Sequence, residues 1–250
     1  TLYSAAGYGS NMIYLGSTIS ENQPYLYANL TYGFKSKFYA SITPVHLTNL
    51  NSTVPFYIGA LNYSHELNSW FDISLGAYRY QVAESLADTL FSSFTYGDLT
   101  LGFDWKILYS KLILGGLISE ENQVYFQLRN SRYFETTYLM KRKANISFDP
   151  YVNLLFGTLY EVNTTGETTQ IASTPGRQWR KFTNTGTSNN ISYVRKLGIL
   201  TTDFGIPVSF NTTKMVIEAE VNYTLPLSDS QGIASPKGFV FLLSAFFRIH

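Results

Sequence analysis

The side chains that could carry covalent or metal chemistry are few. The chain holds 3 histidines and no cysteine, which leaves too few ligands at useful spacing for a zinc site. His65 stands beside Glu66; on a strand such neighbours point to opposite faces, so the two cannot act on one proton. His46-Leu47-Thr48 brings an imidazole near a hydroxyl, but hydroxyl catalysis also needs a third group to orient the base, and none presents itself. Glu84 and Asp88 sit in a loop-like segment with no histidine for company. Glu218 and Glu220 share one wall of a strand, spaced as a stripe of charge more than as a general acid and base. Gly115-Gly116 falls inside a strand pattern and offers no phosphate-cradling loop. No catalytic, cofactor-binding or metal-binding residue is expected. The functional question becomes where the remaining charges are placed, and that depends on the elements that carry them.

Composition narrows those elements. Of 250 residues only 14% are charged, 16% are aromatic, and the formal net charge is +1. Disorder needs high net charge and few aromatics. A helical membrane protein needs runs of roughly 18 or more apolar residues, and Phe239 to Phe247, broken by Ser244, is far too short. A disulfide scaffold needs cysteines. A nucleic-acid partner is not expected either, because its binders carry a basic excess. Few charges, many aromatics and middling hydropathy suit a closed sheet with one face in oil and one in water.

The period along the chain is two. Met215, Ile217, Ala219, Val221, Tyr223 and Leu225 alternate with Val216, Glu218, Glu220, Asn222 and Thr224; a helix would scatter those acids around its cylinder, whereas a strand gathers them on one side. Leu99, Leu101, Phe103 and Trp105 oppose Asp98, Thr100, Gly102 and Asp104 in the same way. Continuing along the sequence gives twelve strands, at about 10–18, 25–34, 37–48, 55–67, 69–82, 91–105, 107–118, 122–134, 145–161, 190–209, 213–226 and 238–249. Pro44 and Pro150 lie inside strands and are expected to cause bulges, with the facing of His46 open to reversal. Tight turns near 35–36, 68–69, 106 and 211–212 alternate with longer loops at 19–24, 49–54, 83–90, 119–121, 162–189 and 227–237, the 135–144 connection being the exception. Residues 1–250 are read as a single domain with both termini on the short-turn side.

At this point the chain resembles the bacterial outer-membrane β-barrels over essentially its whole length. Its closing segment, Gly238-Phe-Val-Phe-Leu-Leu-Ser-Ala-Phe-Phe-Arg-Ile-His250, is similar to the family's C-terminal strand, except that it runs past the last aromatic residue. The resemblance implies an all-β, antiparallel, up-and-down barrel integral to the outer membrane. No signal-peptide pattern opens at Thr1, as expected of a mature or trimmed chain. A soluble β-sandwich or propeller would also alternate, but its apolar faces would carry more Lys and Glu than these do. Phe34, Phe38, Phe71, Trp105 and Phe247 gather near the short turns as an interfacial girdle. Arg79 and Arg132 fall on the lipid side near the rims, where long stems reach the headgroups.

The opposite face then lines the lumen. Its acids are Asp72, Asp98, Asp104, Asp149, Asp203, Glu218 and Glu220; its bases are Lys111, Arg129, Arg195 and Arg248. Tyr25, Tyr27, Tyr78, Tyr80, Tyr109, Tyr125, Tyr133 and Tyr151 join them. Charges on facing walls must be hydrated or paired. The hydrated case is a narrow channel for small polar solutes, and the acidic excess favours cations. The paired case is a filled, non-conducting barrel that serves as a scaffold in a secretion, uptake or assembly complex with other envelope proteins. A surface hydrolase is the third reading. A resemblance to outer-membrane phospholipases would require a Ser two residues after a His on a lipid-facing strand; in His46-Leu47-Thr48 that place holds Thr48. The omptin-type proteases would need a histidine beside outer-loop acids. In loop 162–189, Arg177, Trp179, Arg180 and Lys181 interleave base with aromatic, a patch suited to lipopolysaccharide phosphates, a partner protein or the barrel mouth. The Lys141-Arg142-Lys143 run reads as a solvated connection.

Overall fold

The computed structural model describes residues 1–50, 52–87, 90–119, 122–137, 139, 143–164, 167–172, 192–227 and 236–249, and side chains within these except in 160–195. Twelve strands close into one antiparallel barrel. They are β1 (Leu2–Gly9), β2 (Tyr25–Phe34), β3 (Phe38–Leu47), β4 (Phe56–Asn68), β5 (Phe71–Val82) and β6 (Phe94–Asp104). The circuit continues with β7 (Tyr109–Ile118), β8 (Gln123–Ser131), β9 (Ala144–Phe148 and Tyr151–Thr164), β10 (Ser192–Thr212), β11 (Met215–Pro226) and β12 (Gly238–Arg248). Each strand pairs with the next, and β12 returns to β1 from Tyr3↔Arg248 to Gly9↔Leu242. Closure of these twelve strands leaves the described wall without an open seam, as a wall surrounded by hydrocarbon requires.

Alternation sorts the side chains. On β2, Tyr25, Tyr27, Asn29 and Thr31 turn inward, while Leu26, Leu30, Tyr32 and Phe34 are exposed on the outside. The same outer surface carries Leu61, Leu75, Leu114, Phe204, Phe239 and Phe241, all exposed. So broad an apolar exterior belongs against lipid, since a water-soluble domain seldom shows patches of this extent; the sandwich alternative gives way to the barrel. Trp70 and Trp105 both stack with Phe103 at the short-turn end, at ring-centroid distances of 6.5 and 6.0 Å. The Phe34-Lys35-Ser36-Lys37 turn uses left-handed backbone at both central residues (φ 52° and 53°), which matches the twist of its flanking strands.

Three expectations need correction. The first strand is Leu2–Gly9 and not 10–18. Pro44 makes no bulge: the β2–β3 ladder lapses opposite it and resumes in register, from Tyr27↔Val45 to Leu30↔Ile42. Its missing N–H falls in that lapse, and His46 keeps the outward facing of a regular strand between buried Val45 and Leu47. Pro150 breaks β9 into two pieces without shifting register, since Phe148↔Val208 and Tyr151↔Gly205 continue one ladder. The register shifts instead between Glu66 and Asn68 on β4 and between Leu155 and Phe156 on β9.

Candidate functional site

The lower lumen, toward the short turns, is polar and held together by tyrosines. The Tyr109 hydroxyl donates to Asp72 Oδ2 at 2.6 Å, and the Tyr151 hydroxyl donates to Glu220 Oε1 at 2.5 Å. Asn222 Nδ2 donates to the Tyr151 oxygen at 2.6 Å, Asn153 Nδ2 to Asp203 Oδ2 at 2.9 Å, and Ser209 Oγ to Glu218 Oε2 at 2.8 Å. The Arg129 guanidinium lies 3.7 Å from the centre of the Tyr151 ring, and Lys111 Nζ 5.4 Å from that of Tyr109. Several of these rings lie flat along the wall because the neighbouring position is glycine. A Cβ at Gly205 would strike Tyr151, one at Gly102 would strike Tyr109 and Asp72, and one at Gly7 would strike Tyr27.

The outer lumen is apolar and filled. Residues 11–23 fold inward as a hairpin, with Ile13↔Thr18 and Tyr14↔Ser17 paired around a turn at Leu15-Gly16 (φ 49° and 79°). Asn11 Oδ1 braces it by accepting from Thr18 Oγ1 at 2.6 Å and Ser20 Oγ at 2.8 Å, while Ser20 Oγ also accepts from the Met12 N–H at 2.9 Å. On one wall Tyr14 packs against Tyr80, Phe94 and Tyr96, with ring centroids 4.7, 5.9 and 5.6 Å apart. Toward the opposite wall, a Cβ on Gly16 would sit in van der Waals contact with Leu155, Leu200 and Thr201. The hairpin therefore spans the bore. Ile19, Leu47, Phe56, Phe91 and Leu117 are all buried in the same cluster. Burial, with Tyr80 and Tyr96 adding to it, pushes the Tyr14 hydroxyl far above the usual tyrosine range, so it stays neutral within this seal.

Beneath the hairpin is a chamber of about 190 Å³. Its polar side is Asp203, Glu220, Asn222 and Thr224; Met12 and Ile13 of the hairpin face it, with Val240 and Leu242 on β12. A second cavity of about 360 Å³ lies at the short-turn rim, where it meets Asp104, Tyr109, Arg132 and Asp149.

The acids and bases anticipated for the lumen divide by level. Asp72, Asp98, Asp203, Glu218, Glu220, Lys111 and Arg129 stand on the inner wall. Asp104 and Asp149 flank the rim cavity. Arg248 and Tyr133 are exposed at the short-turn end, at the rim and not within the bore. The Arg195 side chain and the loop residues Arg177, Trp179, Arg180 and Lys181 lie outside the described residues, as do Lys141, Arg142, Asp88 and His250. Arg79 is on the outer face, hydrogen-bonded to Gln81 Oε1 at 3.0 Å and Thr95 Oγ1 at 3.1 Å.

His46 and Thr48 do not meet: His46 Nδ1 faces the Ser52 and Thr53 carbonyls at 3.2 and 3.1 Å, and Thr48 Oγ1 donates to the Pro24 carbonyl at 3.1 Å. Among the described residues, no group of three or more His, Asp or Glu side chains is placed to hold a metal ion. The sequence conceals the hairpin because Ile13, Leu15 and Ser17 alternate like a strand; the signal that separates it from wall is the density of Asn, Ser and Thr around Leu15-Gly16.

No family model matches the chain and no curated protein matches its sequence. Solved structures do match its shape. The KdgM porin aligns with a TM-score of 0.54 at 10% identity, covering 99% of both chains. The NanC porin aligns at 0.52 and 11%, covering 100% of both. LpxR from Salmonella typhimurium aligns at 0.52 and 6%, covering 99% of this chain and 100% of that one. Identities this low carry the fold and nothing finer. With its apolar exterior and closed wall, the chain has a β-barrel fold of porin-like architecture.

Proposed function

We propose that this barrel is a narrow, cation-preferring channel for small polar solutes, held shut at its outer end by the 11–23 hairpin. One observation carries the reading: a polar, acid-rich lower lumen ends against an apolar stopper that is a braced hairpin and not part of the wall. In the lower lumen Asp72, Asp98, Asp203, Glu218 and Glu220 outnumber Lys111 and Arg129. An acid-lined bore concentrates cations.

The test is a planar-bilayer recording of the intact barrel beside a variant whose residues 11–23 are replaced by a Gly-Ser linker. The intact barrel should be mostly silent. The linker variant should conduct, with a reversal potential in a salt gradient that reports cation preference. Anion preference would remove the selectivity part of the proposal. Silence in both favours the second reading, a permanently closed barrel that serves as a scaffold for other envelope components. That reading draws its support from the continuity of the seal, where Leu47 is 0% and Phe91 is 1% exposed.

A further inference from the structure

We infer that the chamber beneath the hairpin is a binding site for a small organic cation, an alkylammonium whose head meets Asp203 and Glu220 and whose body lies on the apolar side. The inference deepens the channel reading by naming a solute class, and it rests on that reading for the route by which a solute arrives.

The chamber is far larger than the roughly 10–15 Å³ that one water needs. Two carboxylates reach it, and no Lys, Arg or His is among its described lining residues. The donors nearest those carboxylates belong to neutral side chains: Tyr151 gives its proton to Glu220, and Asn153 gives Nδ2 to Asp203. Arg129, stacked on the Tyr151 ring, offsets part of that charge, but two carboxylates against one guanidinium leave the space net negative, and negative charge in a partly apolar space draws a cation. A second observation lies next to Asp203. Asn153, the donor to Asp203, is only 6% exposed and is not itself among the chamber's lining residues, yet its Oδ1 has no hydrogen-bond partner; a buried acceptor left unmet is uncommon and calls for a donor close to Asp203. The other side of the chamber selects among cations. Met12, Ile13, Val240 and Leu242 give a bare ion nothing to replace its water, whereas a short alkyl chain would be covered there. Because Met12 and Ile13 belong to the hairpin, the occupant also touches the stopper.

The experiment is calorimetric titration of the full chain in detergent with n-butylammonium chloride, and in parallel with n-butanol, sodium butyrate and potassium chloride. One saturable butylammonium site per barrel is expected, with no saturable binding of butanol or butyrate. Asp203→Asn and Glu220→Gln, near-isosteric changes, should each weaken it at least tenfold. Leu242→Trp, which fills the apolar side, should abolish it. Folding of each variant is checked by its unheated gel mobility. Unchanged affinity in both carboxylate variants overturns the inference, as does butanol binding as well as butylammonium, or potassium displacing butylammonium at equal concentration. The titration needs no current. A barrel that stays silent even with its hairpin replaced, yet binds the amine when intact, therefore defeats only the channel, and a conducting linker variant whose intact parent ignores the amine defeats only the binding site.

Discussion

At the scale of the residue, the lower lumen is shaped by pairs in which a tyrosine lies down over a glycine. Tyrosine brings a large ring and one hydroxyl. Lying flat, it keeps the hydroxyl within reach of a carboxylate on the next strand and leaves the axis clear. Gly102 shows the requirement, because a methyl group there would press on both the Tyr109 hydroxyl and the Asp72 carboxylate, which share a 2.6 Å hydrogen bond. Gly116 has no such neighbour, its Cβ position opening onto empty space outside the wall. Gly102→Ala should therefore destabilise the barrel by about 1–3 kcal/mol, the usual range for overpacking a tight site. Gly116→Ala should stay within about 0.5 kcal/mol of the parent, as surface changes commonly do. Equilibrium unfolding in urea with lipid vesicles measures both, and equal losses at the two sites would show that the ring-on-glycine packing carries no special weight.

At the scale of the element, the hairpin is the part that fills the outer bore, and Asn11 is its brace. Asn11→Ala would remove the acceptor for both Thr18 and Ser20. Leaving buried donors unmet costs about 1–3 kcal/mol, so amide exchange over residues 12–20 should speed by about tenfold or more, while exchange in the β-strands stays as slow as before. Equal acceleration in hairpin and wall would mean that the two form one cooperative unit and that the hairpin is no separate stopper. The same element marks the limit of what the sequence discloses. Strands such as β11 could be read directly, because Glu218, Glu220 and Asn222 alternate with Ile217, Ala219 and Val221. β1 could not: Ala5, Ala6, Gly7 and Gly9 give almost no hydropathy contrast, and its position is set by pairing with β12 and β2 to close the circle. Residues 13–18 alternate without being wall, since a buried hairpin obeys the same period. The inward acids were legible from parity alone. The partners they take, Tyr109 for Asp72 and Tyr151 for Glu220, depend on register across strands that no single segment contains.

At the scale of the whole molecule, the barrel reverses the arrangement of a soluble domain: its apolar surface lies outside, and its charge lies within. An outer position near mid-strand should therefore reject charge, and a position at the rim should accept it. Leu61 lies inside β4, paired with Ala40 and Ala77 on the flanking strands, and is 65% exposed. Ile107 is similarly exposed, at 68%, but sits in the short turn between β6 and β7. Leu61→Arg should cost about 2–4 kcal/mol, the range for a cation near the bilayer midplane, and Ile107→Arg about 0–1 kcal/mol, the range near an interface. The comparison is decisive because water predicts the opposite: on a solvated surface, either leucine or isoleucine gives way to arginine at almost no cost. Reversible unfolding from vesicles supplies both values. A Leu61→Arg barrel as stable as its parent would place that wall against water, and the polar bore, the apolar stopper and the chamber between them would then need a different account of which side is inside.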